Sequence, residues 1–279
     1  MKIQQLTENL TVFQSELYQT NSTLVQTNDL ILLVDPTWLP DEIKTIQVEV
    51  NRIQQGKPLY LLFTHSDFDH ILGYSAFPGA KTISHHFLQH CSEEYKQDKK
   101  YKIVDFYEKY YIKSPFSAEF PHIDYAIQED NQTIQVGETT LRFFLAPGHT
   151  EDGLFCLIDP LGIWVAGDYL SDIEMPFIFD TYQSYVHTME KAEQLYVDYR
   201  MNWLIPGHGS VTDDQTEMKR RIHISKTYLA LLRQAIIDDK WDELNQELKR
   251  YPFPKLMKET QSHFLEKVTT EIRTQNDSK

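Results

Sequence analysis

Two apolar runs on either side of a helical segment constrain the fold of this chain most strongly. The runs cover residues 30–34 and 59–63, and each is followed at once by a polar residue. Between them, over residues 40–55, apolar side chains recur with the spacing of one helix face. Continuous apolar runs of this length are typical of strands buried on both faces, and a helix that joins two such strands crosses over the sheet. The sequence therefore predicts a layered α/β fold.

The rest of the chain predicts further strands, one long helix and a helical C-terminal region. Strands are expected at residues 10–13, 23–26, 81–84, 123–125, 133–136, 140–145, 154–158, 163–165 and 203–205. A helix is expected over residues 181–199, and helices with a single break at 251–254 are expected over 214–274. We therefore assign residues 1–213 to one large domain. Residues 214–279 form a C-terminal helical extension, which either packs on that domain or serves as a dimer interface.

An aromatic-rich insertion interrupts the strand pattern at residues 85–125. Tyr and Phe are dense here and are mixed with Lys and Glu, which predicts one or two helices and irregular chain. The insertion forms either a packed subdomain with its own small core or a cap that contributes substrate contacts. It also contains the chain's only basic run, residues 96–102, which we interpret as the solvated face of a helix. His85 and His86, at its start, either face the site or form a surface pair, and we favour the surface pair.

Composition argues against several classes of function. The formal net charge of -14 at pH 7 repels polyanions, so nucleic acid is not expected as a partner. No run approaches the ~20 apolar residues that a membrane helix needs, and no secretory signal is visible. The two cysteines, Cys91 and Cys156, belong to no pair motif, which favours a reducing, cytoplasmic location. The expected partner is a small-molecule substrate, and a homodimer is left open.

Seven histidines and aspartates follow predicted strands and have the chemistry of metal ligands. They are, in chain order, His65, Asp67, Asp69, His70, His149, Asp168 and His208. Loops at strand ends collect binding groups on open α/β sheets, because the rigid sheet positions them. Imidazole and carboxylate groups hold zinc, iron or manganese, and two ions that share a bridging carboxylate need about this many ligands. Glycines beside the last three ligands suit tight turns that bring the backbone close to them.

Four segments that contain these residues resemble the ordered motifs of the metallo-β-lactamase-fold hydrolase superfamily. The segments are Thr-His-Ser-Asp-Phe-Asp-His at 64–70, Pro-Gly-His-Thr at 147–150, Gly-Asp at 167–168 and Pro-Gly-His-Gly at 206–209. Asp35, directly after the 30–34 run, is similar to that family's first motif. The resemblance covers roughly residues 10–210 and implies an α/β fold, a four-layer αββα sandwich. To this sandwich the chain would add the helical insertion and the C-terminal helices.

The resemblance also implies a role for each ligand. One ion would be held by His65, His149 and the residue at position 67, and the other by Asp69, His70 and His208. Asp168 would bridge the two ions, and Asp35 would orient a ligand histidine without binding metal itself. Asp69 would also orient the attacking hydroxide, so Asp69 and Asp168 are the expected catalytic residues.

Position 67 departs from the family pattern, which usually has histidine there. Asp67 adds a third carboxylate, so two divalent ions and a hydroxide would form a neutral core where the usual set leaves one positive charge. An oxygen-rich site of this kind suits manganese or iron relative to zinc. Aspartate is also shorter than histidine, and contact with metal only through water would leave a single well-held ion. The predicted cofactor is two divalent ions, zinc or else manganese or iron, with a one-ion site as the alternative.

The predicted activity is hydrolysis of an ester-type bond in a small organic substrate, which would be an ester, a lactone or a thioester. Two metal ions lower the pKa of a shared water toward neutrality, so a metal-bound hydroxide attacks without a side-chain base. The alternatives are a phosphodiester hydrolase and a non-hydrolytic di-iron protein that binds or reduces oxygen. The family resemblance permits all three activities.

Overall fold

The structure, a computed structural model, describes residues 1–277. Its strands are β1 (Lys2–Gln5), β2 (Leu10–Gln14), β3 (Asn21–Gln26), β4 (Ile31–Val34), β5 (Leu59–Leu62), β6 (Lys81–His85), β7 (Tyr125–Ile127), β8 (Gln132–Val136), β9 (Thr139–Leu145), β10 (Leu154–Asp159), β11 (Ile163–Gly167) and β12 (Trp203–Pro206). Its α-helices are α1 (Pro40–Gln54), α2 (Phe68–Ile71), α3 (His86–His90), α4 (Glu93–Lys109), α5 (Tyr182–Asp198), α6 (Gln215–Asp238), α7 (Trp241–Leu248) and α8 (Pro254–Asp277). The predicted strands overlap β2 to β12, whereas β1 was not predicted.

Two sheets contain these strands. The first sheet has seven strands in the order β1 to β7, and the second has five in the order β12-β11-β10-β9-β8. In the first sheet β1 to β4 pair antiparallel, and β4, β5, β6 and β7 pair parallel. Two sheets and eight helices are the elements of the expected four-layer αββα sandwich with a helical insertion and C-terminal helices.

The chain forms two compact units by its internal contacts. The first unit comprises Met1–Leu145 and Leu154–Leu161, and the second comprises Ala146–Gly153 and the chain from Gly162 onward. The first unit thus contains β1 to β10 and α1 to α4, and the second contains β11, β12 and α5 to α8. The assignment of residues 1–213 and 214–279 to separate regions stays a prediction, and the last two of these residues lie outside the described range.

The β4–α1–β5 unit has the form that the apolar pattern predicts. Every residue of both strands is buried, and the strands pair in parallel. The helix buries Ile43, Ile46 and Val50 on one face. Its first turn is fixed by Glu42, whose carboxylate accepts a hydrogen bond from the backbone N–H of Leu39 at 3.1 Å. The crossover places the ends of β4 and β5 side by side, and the polar residues that follow each strand therefore start from one edge of the sheet.

The aromatic insertion packs into the core of the first unit. Leu88, Ile103 and Phe106 belong to the same buried cluster as residues of the first sheet and α1. The rings of Phe106 and Trp38 lie 4.6 Å apart, centroid to centroid. The insertion therefore shares the main core, and the expectation of a separate small core is wrong.

Two expectations about the insertion are corrected by burial. Most of the basic run is partly or fully exposed along α4, but Lys99 is only 6% exposed. His85 is 7% exposed and accepts a hydrogen bond from the backbone N–H of Phe87, so it begins α3 and is not a surface residue. A buried amine and a buried imidazole both need partners, and Lys99 finds its partner among the predicted ligands.

The C-terminal helices of the second unit have one more break than the sequence predicts. The chain turns at Asp239, where φ is +58°, and again between α7 and α8. The C-terminal extension was left open as a dimer interface, and Tyr228, Leu232 and Ile236 on its helix α6 are buried within the chain. Their burial shows that this stripe packs internally, while the homodimer itself stays a prediction.

Among residues 1–277, no helix combines the length and the apolar character that crossing a lipid bilayer requires.

Candidate metal centre

The loop after β5 carries four predicted ligands within six residues. His65 and His70 are buried, and Asp67 and Asp69 are partly exposed. Asp67 is the N-cap of the short helix α2, and Asp69 and His70 lie within that helix. Nε2 of His65 lies 3.7 Å from Oδ2 of Asp67, and Nε2 of His70 lies 3.5 Å from Oδ2 of Asp69. Each imidazole therefore presents Nε2 to a carboxylate oxygen.

Asp35 holds this loop in place from the end of β4. Its Oδ1 accepts the backbone N–H of Thr64 at 2.9 Å, and its Oδ2 accepts the Thr64 hydroxyl at 2.6 Å. Oδ2 also accepts Nδ1–H of His70 at 2.9 Å. Asp35 has φ +45°, a left-handed conformation that aspartate tolerates better than most residues. Asp35 thus orients a ligand histidine, in the manner that the family resemblance implies.

The same hydrogen bonds fix the tautomers of His65 and His70. A carboxylate can only accept, so Nδ1 of His70 carries the proton and its Nε2 keeps a lone pair. The Thr64 hydroxyl donates to Asp35, so its oxygen is left to accept from Nδ1 of His65, which lies 3.1 Å away. Both rings therefore direct an unprotonated Nε2 away from Asp35, as a metal ligand requires.

Asp67 has a cationic partner that sequence reasoning missed. Nζ of Lys99, on α4, donates to Oδ1 of Asp67 at 2.7 Å. One turn earlier on the same helix, the Tyr95 hydroxyl lies 2.6 Å from Oγ of Ser66. Residues 64–70, which contain the four predicted ligands after β5, are called the ligand loop. The insertion thus contacts this loop at two neighbouring residues, Ser66 and Asp67.

In the second unit, His149 is fixed by hydrogen bonds to its backbone and its ring. Its backbone N–H donates to the hydroxyl of Tyr169 at 2.8 Å, and that hydroxyl donates to the carbonyl of Ala146 at 2.8 Å. Burial raises the pKa of Tyr169, so this phenol stays protonated. Nδ1 of His149 donates to the carbonyl of Phe177 at 3.0 Å, which leaves Nε2 with the lone pair.

Asp168 lies beside His149 and His208, the two predicted ligand histidines of the second unit. Its Oδ2 is 3.2 Å from Nε2 of His149 and 3.3 Å from Nε2 of His208. A Cβ at Gly207 would come within 2.2 Å of Oδ1 of Asp168, and at Gly148 the backbone has φ +129°. Glycine is needed at both positions, because the chain must pass close to the carboxylate at one and adopt a positive φ at the other.

These spacings test whether the donor set fits metal. Two atoms that bind one zinc ion at 2.0–2.2 Å with a tetrahedral angle are about 3.3 to 3.6 Å apart. The four Nε2–Oδ2 distances span 3.2–3.7 Å, so they suit ligands that share an ion. One oxygen of Asp168 has this spacing to two histidines, so it could share metal with either imidazole. The residues present therefore fit divalent metal.

Six of the seven predicted ligands belong to two candidate metal-binding groups. The first unit contributes His65, Asp69 and His70, and the second contributes His149, Asp168 and His208. Asp67 is in neither of the groups that the described residues form. The ligand roles of the individual residues stay predictions.

Other polar residues near the predicted ligands have structural contacts. Asp172 accepts the backbone N–H of Ser210 at 2.7 Å and lies 3.9 Å from the buried guanidinium of Arg221. Arg221 donates in turn to the carbonyl of Ser210 at 2.7 Å. These contacts hold the loop that follows His208, so Asp172 has a supporting role there.

The comparisons with known proteins agree with this fold. The sequence matches the family model of the metallo-beta-lactamase superfamily over residues 16–208. The chain therefore belongs to the metallo-beta-lactamase superfamily and is an enzyme of its hydrolase class. A search with the sequence among curated proteins found no match.

Solved structures with this fold include proteins of different named activities. A metallo-beta-lactamase family protein from Thermus thermophilus aligns with a TM-score of 0.60 at 17% identity, over 91% of this chain and 87% of its own. A B3 metallo-beta-lactamase with an active-site glutamic acid gives 0.56 at 16%, over 83% and 90%. A sec-alkylsulfatase from Pseudomonas sp. gives 0.62 at 11%, over 85% of this chain but 42% of its own. This chain thus spans less than half of the alkylsulfatase, and identities this low show the fold alone.

Proposed function

We propose that this protein is a metal-dependent hydrolase that cleaves an ester-type bond, in an ester, lactone or thioester, of a small organic substrate. The observation that carries the proposal is the spacing of Asp168, one oxygen of which lies 3.2 and 3.3 Å from two ligand-type nitrogens. This oxygen is close enough to both imidazoles to share an ion with either of them, as the proposed bridging role requires. When bound, two divalent ions would supply Lewis acidity and a hydroxide at neutral pH.

The chain's own residues would position and support these ions. As the family resemblance implies, His65 and His149 would hold one ion, Asp69, His70 and His208 would hold the other, and Asp168 would bridge the two. The carboxylate of Asp69 is partly exposed, so it can accept a hydrogen bond from an attacking water and orient that water toward a substrate carbonyl. His70, His65 and His149 would bind metal through Nε2, because their Nδ1 protons are committed to Asp35, Thr64 and the Phe177 carbonyl respectively.

The first experiment identifies the metal and the substrate class on one sample. Protein produced in defined medium is analysed for zinc, manganese and iron and is then assayed with p-nitrophenyl esters, lactones, thioesters and bis-p-nitrophenyl phosphate. We expect two metal equivalents and turnover of a carboxylic ester, lactone or thioester. Turnover of the phosphodiester alone would replace the ester proposal. Iron with an oxygen-dependent visible absorption band, and no hydrolysis, would favour the redox alternative.

Asp168→Ala tests the bridging role. Loss of this carboxylate should lower kcat/KM by more than about 100-fold, the upper range for residues that only orient a ligand, and should reduce the metal content. Asp213→Ala is the matched control, because Asp213 is an exposed aspartate in the loop after β12. Wild-type turnover and metal content in Asp168→Ala would refute the assignment, whereas Asp213→Ala should keep both.

A further inference from the structure

The buried lysine of the insertion contacts the one residue at which the ligand pattern departs from its family. The Lys99 side chain is 8% exposed, and its Nζ lies 2.7 Å from Oδ1 of Asp67. The other carboxylate oxygen of Asp67, Oδ2, lies 3.7 Å from Nε2 of His65. Asp67 therefore divides its two oxygens between a fixed cation and a predicted metal ligand.

The surroundings of Lys99 hold it in this position. Its Nζ lies 5.1 Å from the centre of the Tyr95 ring, a cation–π distance. The Tyr95 hydroxyl contacts Ser66, so residues 95 and 99, one helical turn apart, both contact the ligand loop. A lysine this buried is tolerated when its charge is paired, and the Asp67 carboxylate supplies that charge.

We propose that Lys99 is a positioning residue and the counter-charge of Asp67, so that the Asp67–Lys99 pair replaces one neutral histidine. The inference rests on the proposed metal centre. Three carboxylates and a hydroxide would neutralise two divalent ions, and the ammonium group of Lys99 restores the single positive charge that a histidine at position 67 would leave. The pair therefore keeps the charge of the site unchanged while it exchanges the chemistry of one ligand.

This pairing changes what the third carboxylate implies for the metal. Oδ1 of Asp67 is occupied by Lys99, which leaves Oδ2 as the oxygen directed toward His65 and an ion. Because the added negative charge is compensated, charge alone no longer favours manganese or iron over zinc. Removal of Lys99 should restore that preference, since the uncompensated carboxylate would attract cations more strongly and would suit a harder ion.

Metal affinity measured without substrate tests the proposal. Metal-free wild type, Lys99→Met, Asp67→Asn and the double variant are each titrated with zinc and manganese in competition with a chromogenic chelator. We expect Lys99→Met to bind metal about 10-fold more tightly or better, with the larger gain for manganese, and Asp67→Asn to bind about 10-fold more weakly. The double variant should lie within about threefold of wild type, because the two charge changes cancel.

Lys102→Met is the matched control. Lys102 lies on the same helix and pairs with Asp98 at 2.8 Å, and both side chains are 50% exposed. Its substitution removes one lysine charge from α4 without touching the ligand loop, so metal affinity should stay at the wild-type value. A change equal to that of Lys99→Met would mean that the general charge of the helix is responsible, which overturns the specific pairing.

The remaining outcomes also decide the matter. Unchanged or weaker metal binding in Lys99→Met, with a lowered melting temperature, would mean that Lys99 only stabilises the fold. If Lys99→Met does not fold, the double variant carries the test, because a neutral pair removes the unpaired charge. An affinity of the double variant as weak as that of Asp67→Asn would then refute the counter-charge. These titrations use no substrate, so an incorrect ester assignment would leave their outcome unaffected.

Discussion

Two predicted ligand histidines, His70 in the first unit and His149 in the second, reach the same protonation state by different means. Each presents Nε2 to a carboxylate oxygen, at 3.5 Å for His70 and 3.2 Å for His149. Nδ1 of His70 donates to the carboxylate of Asp35, whereas Nδ1 of His149 donates to the main-chain carbonyl of Phe177. One ring is therefore oriented by a charged side chain and the other by backbone.

The supports behind these two partners also differ. Asp35 and Thr64 follow the adjacent parallel strands β4 and β5, so the hydrogen-bond partner of His70 is held directly by the sheet. The segment around Phe177 is held by the C-terminal helix α8. The carbonyl of Phe179 accepts a hydrogen bond from Nζ of Lys267 at 2.8 Å. The rings of Phe179 and Phe264 lie 6.2 Å apart. A substitution of one residue, Asp35, can therefore remove the support of His70, whereas the support of His149 is distributed over several contacts.

The largest expected effect comes from removing the charge behind His70. Asp35→Asn should weaken metal binding about 10- to 100-fold, because an amide makes the imidazole less basic and cannot accept all three hydrogen bonds equally well. Phe177→Ala removes a side chain but keeps the carbonyl that orients His149, so its effect on metal affinity should stay below about threefold. Chelator competition on both proteins measures the contrast. Equal losses in the two variants would break the distinction between side-chain and backbone support.

The ligand segments could be predicted because their chemistry and their position coincide. Imidazole and carboxylate groups that follow four strand ends are difficult to account for without a metal. Of these strands, β5 and β11 are fully buried as expected, β12 is buried except at Trp203, and β9 alternates between buried and partly buried residues. The hydrogen bond from His149 to the carbonyl of Phe177 could not be predicted, because every residue has a carbonyl and the side-chain sequence does not indicate which carbonyl accepts the bond. Strand β1 was missed for a related reason, because its burial pattern is mostly exposed and gives no apolar signal.

Lys99 and His85 show where position and residue type were insufficient. Lys99 belongs to a basic run, and only the three-dimensional register of α4 separates it from its exposed neighbours such as Lys102. The basic run within an insertion was nevertheless the available signal. His85 ends a strand as the ligand segments do, yet its Nδ1 accepts the backbone N–H of Phe87 and begins a helix. A contact with another element decides the case of Lys99, and a local hydrogen bond to the backbone of Phe87 decides that of His85.

His85 differs from His70 and His149, because its Nδ1 accepts a hydrogen bond whereas theirs donate one. Desolvation by burial, together with the nearby His86, lowers the pKa of His85 to about 4. The unfolded chain, with a pKa near 6.5, binds this proton first, so stability falls as the pH drops below 6.5 and the loss is complete below 4. Between pH 7 and pH 5 this group should cost about 2 kcal/mol of unfolding free energy.

His85→Asn checks that value, because asparagine keeps an acceptor for the first turn of α3 but does not titrate. Urea unfolding of wild type and variant at pH 7 and pH 5 gives the difference. The variant should lose less stability on acidification than wild type does. An equal loss of unfolding free energy between pH 7 and pH 5 in the two proteins would show that His85 is not the titrating group that lowers the stability of wild type.

The smallest expected effect concerns the support that α8 gives within the second unit. The carboxylate of Glu271, on α8, accepts the backbone N–H groups of Tyr182 at 2.8 Å and Gln183 at 3.0 Å, so it caps the start of α5 from a distant helix. Glu271→Ala should lower the unfolding free energy by about 1 kcal/mol, the usual cost of a lost cap. Glu266→Ala, at an exposed position of the same helix, should change it little. If Glu271→Ala also weakens metal binding more than Phe177→Ala does, support from α8 contributes more to the orientation of His149 than the loop contacts do.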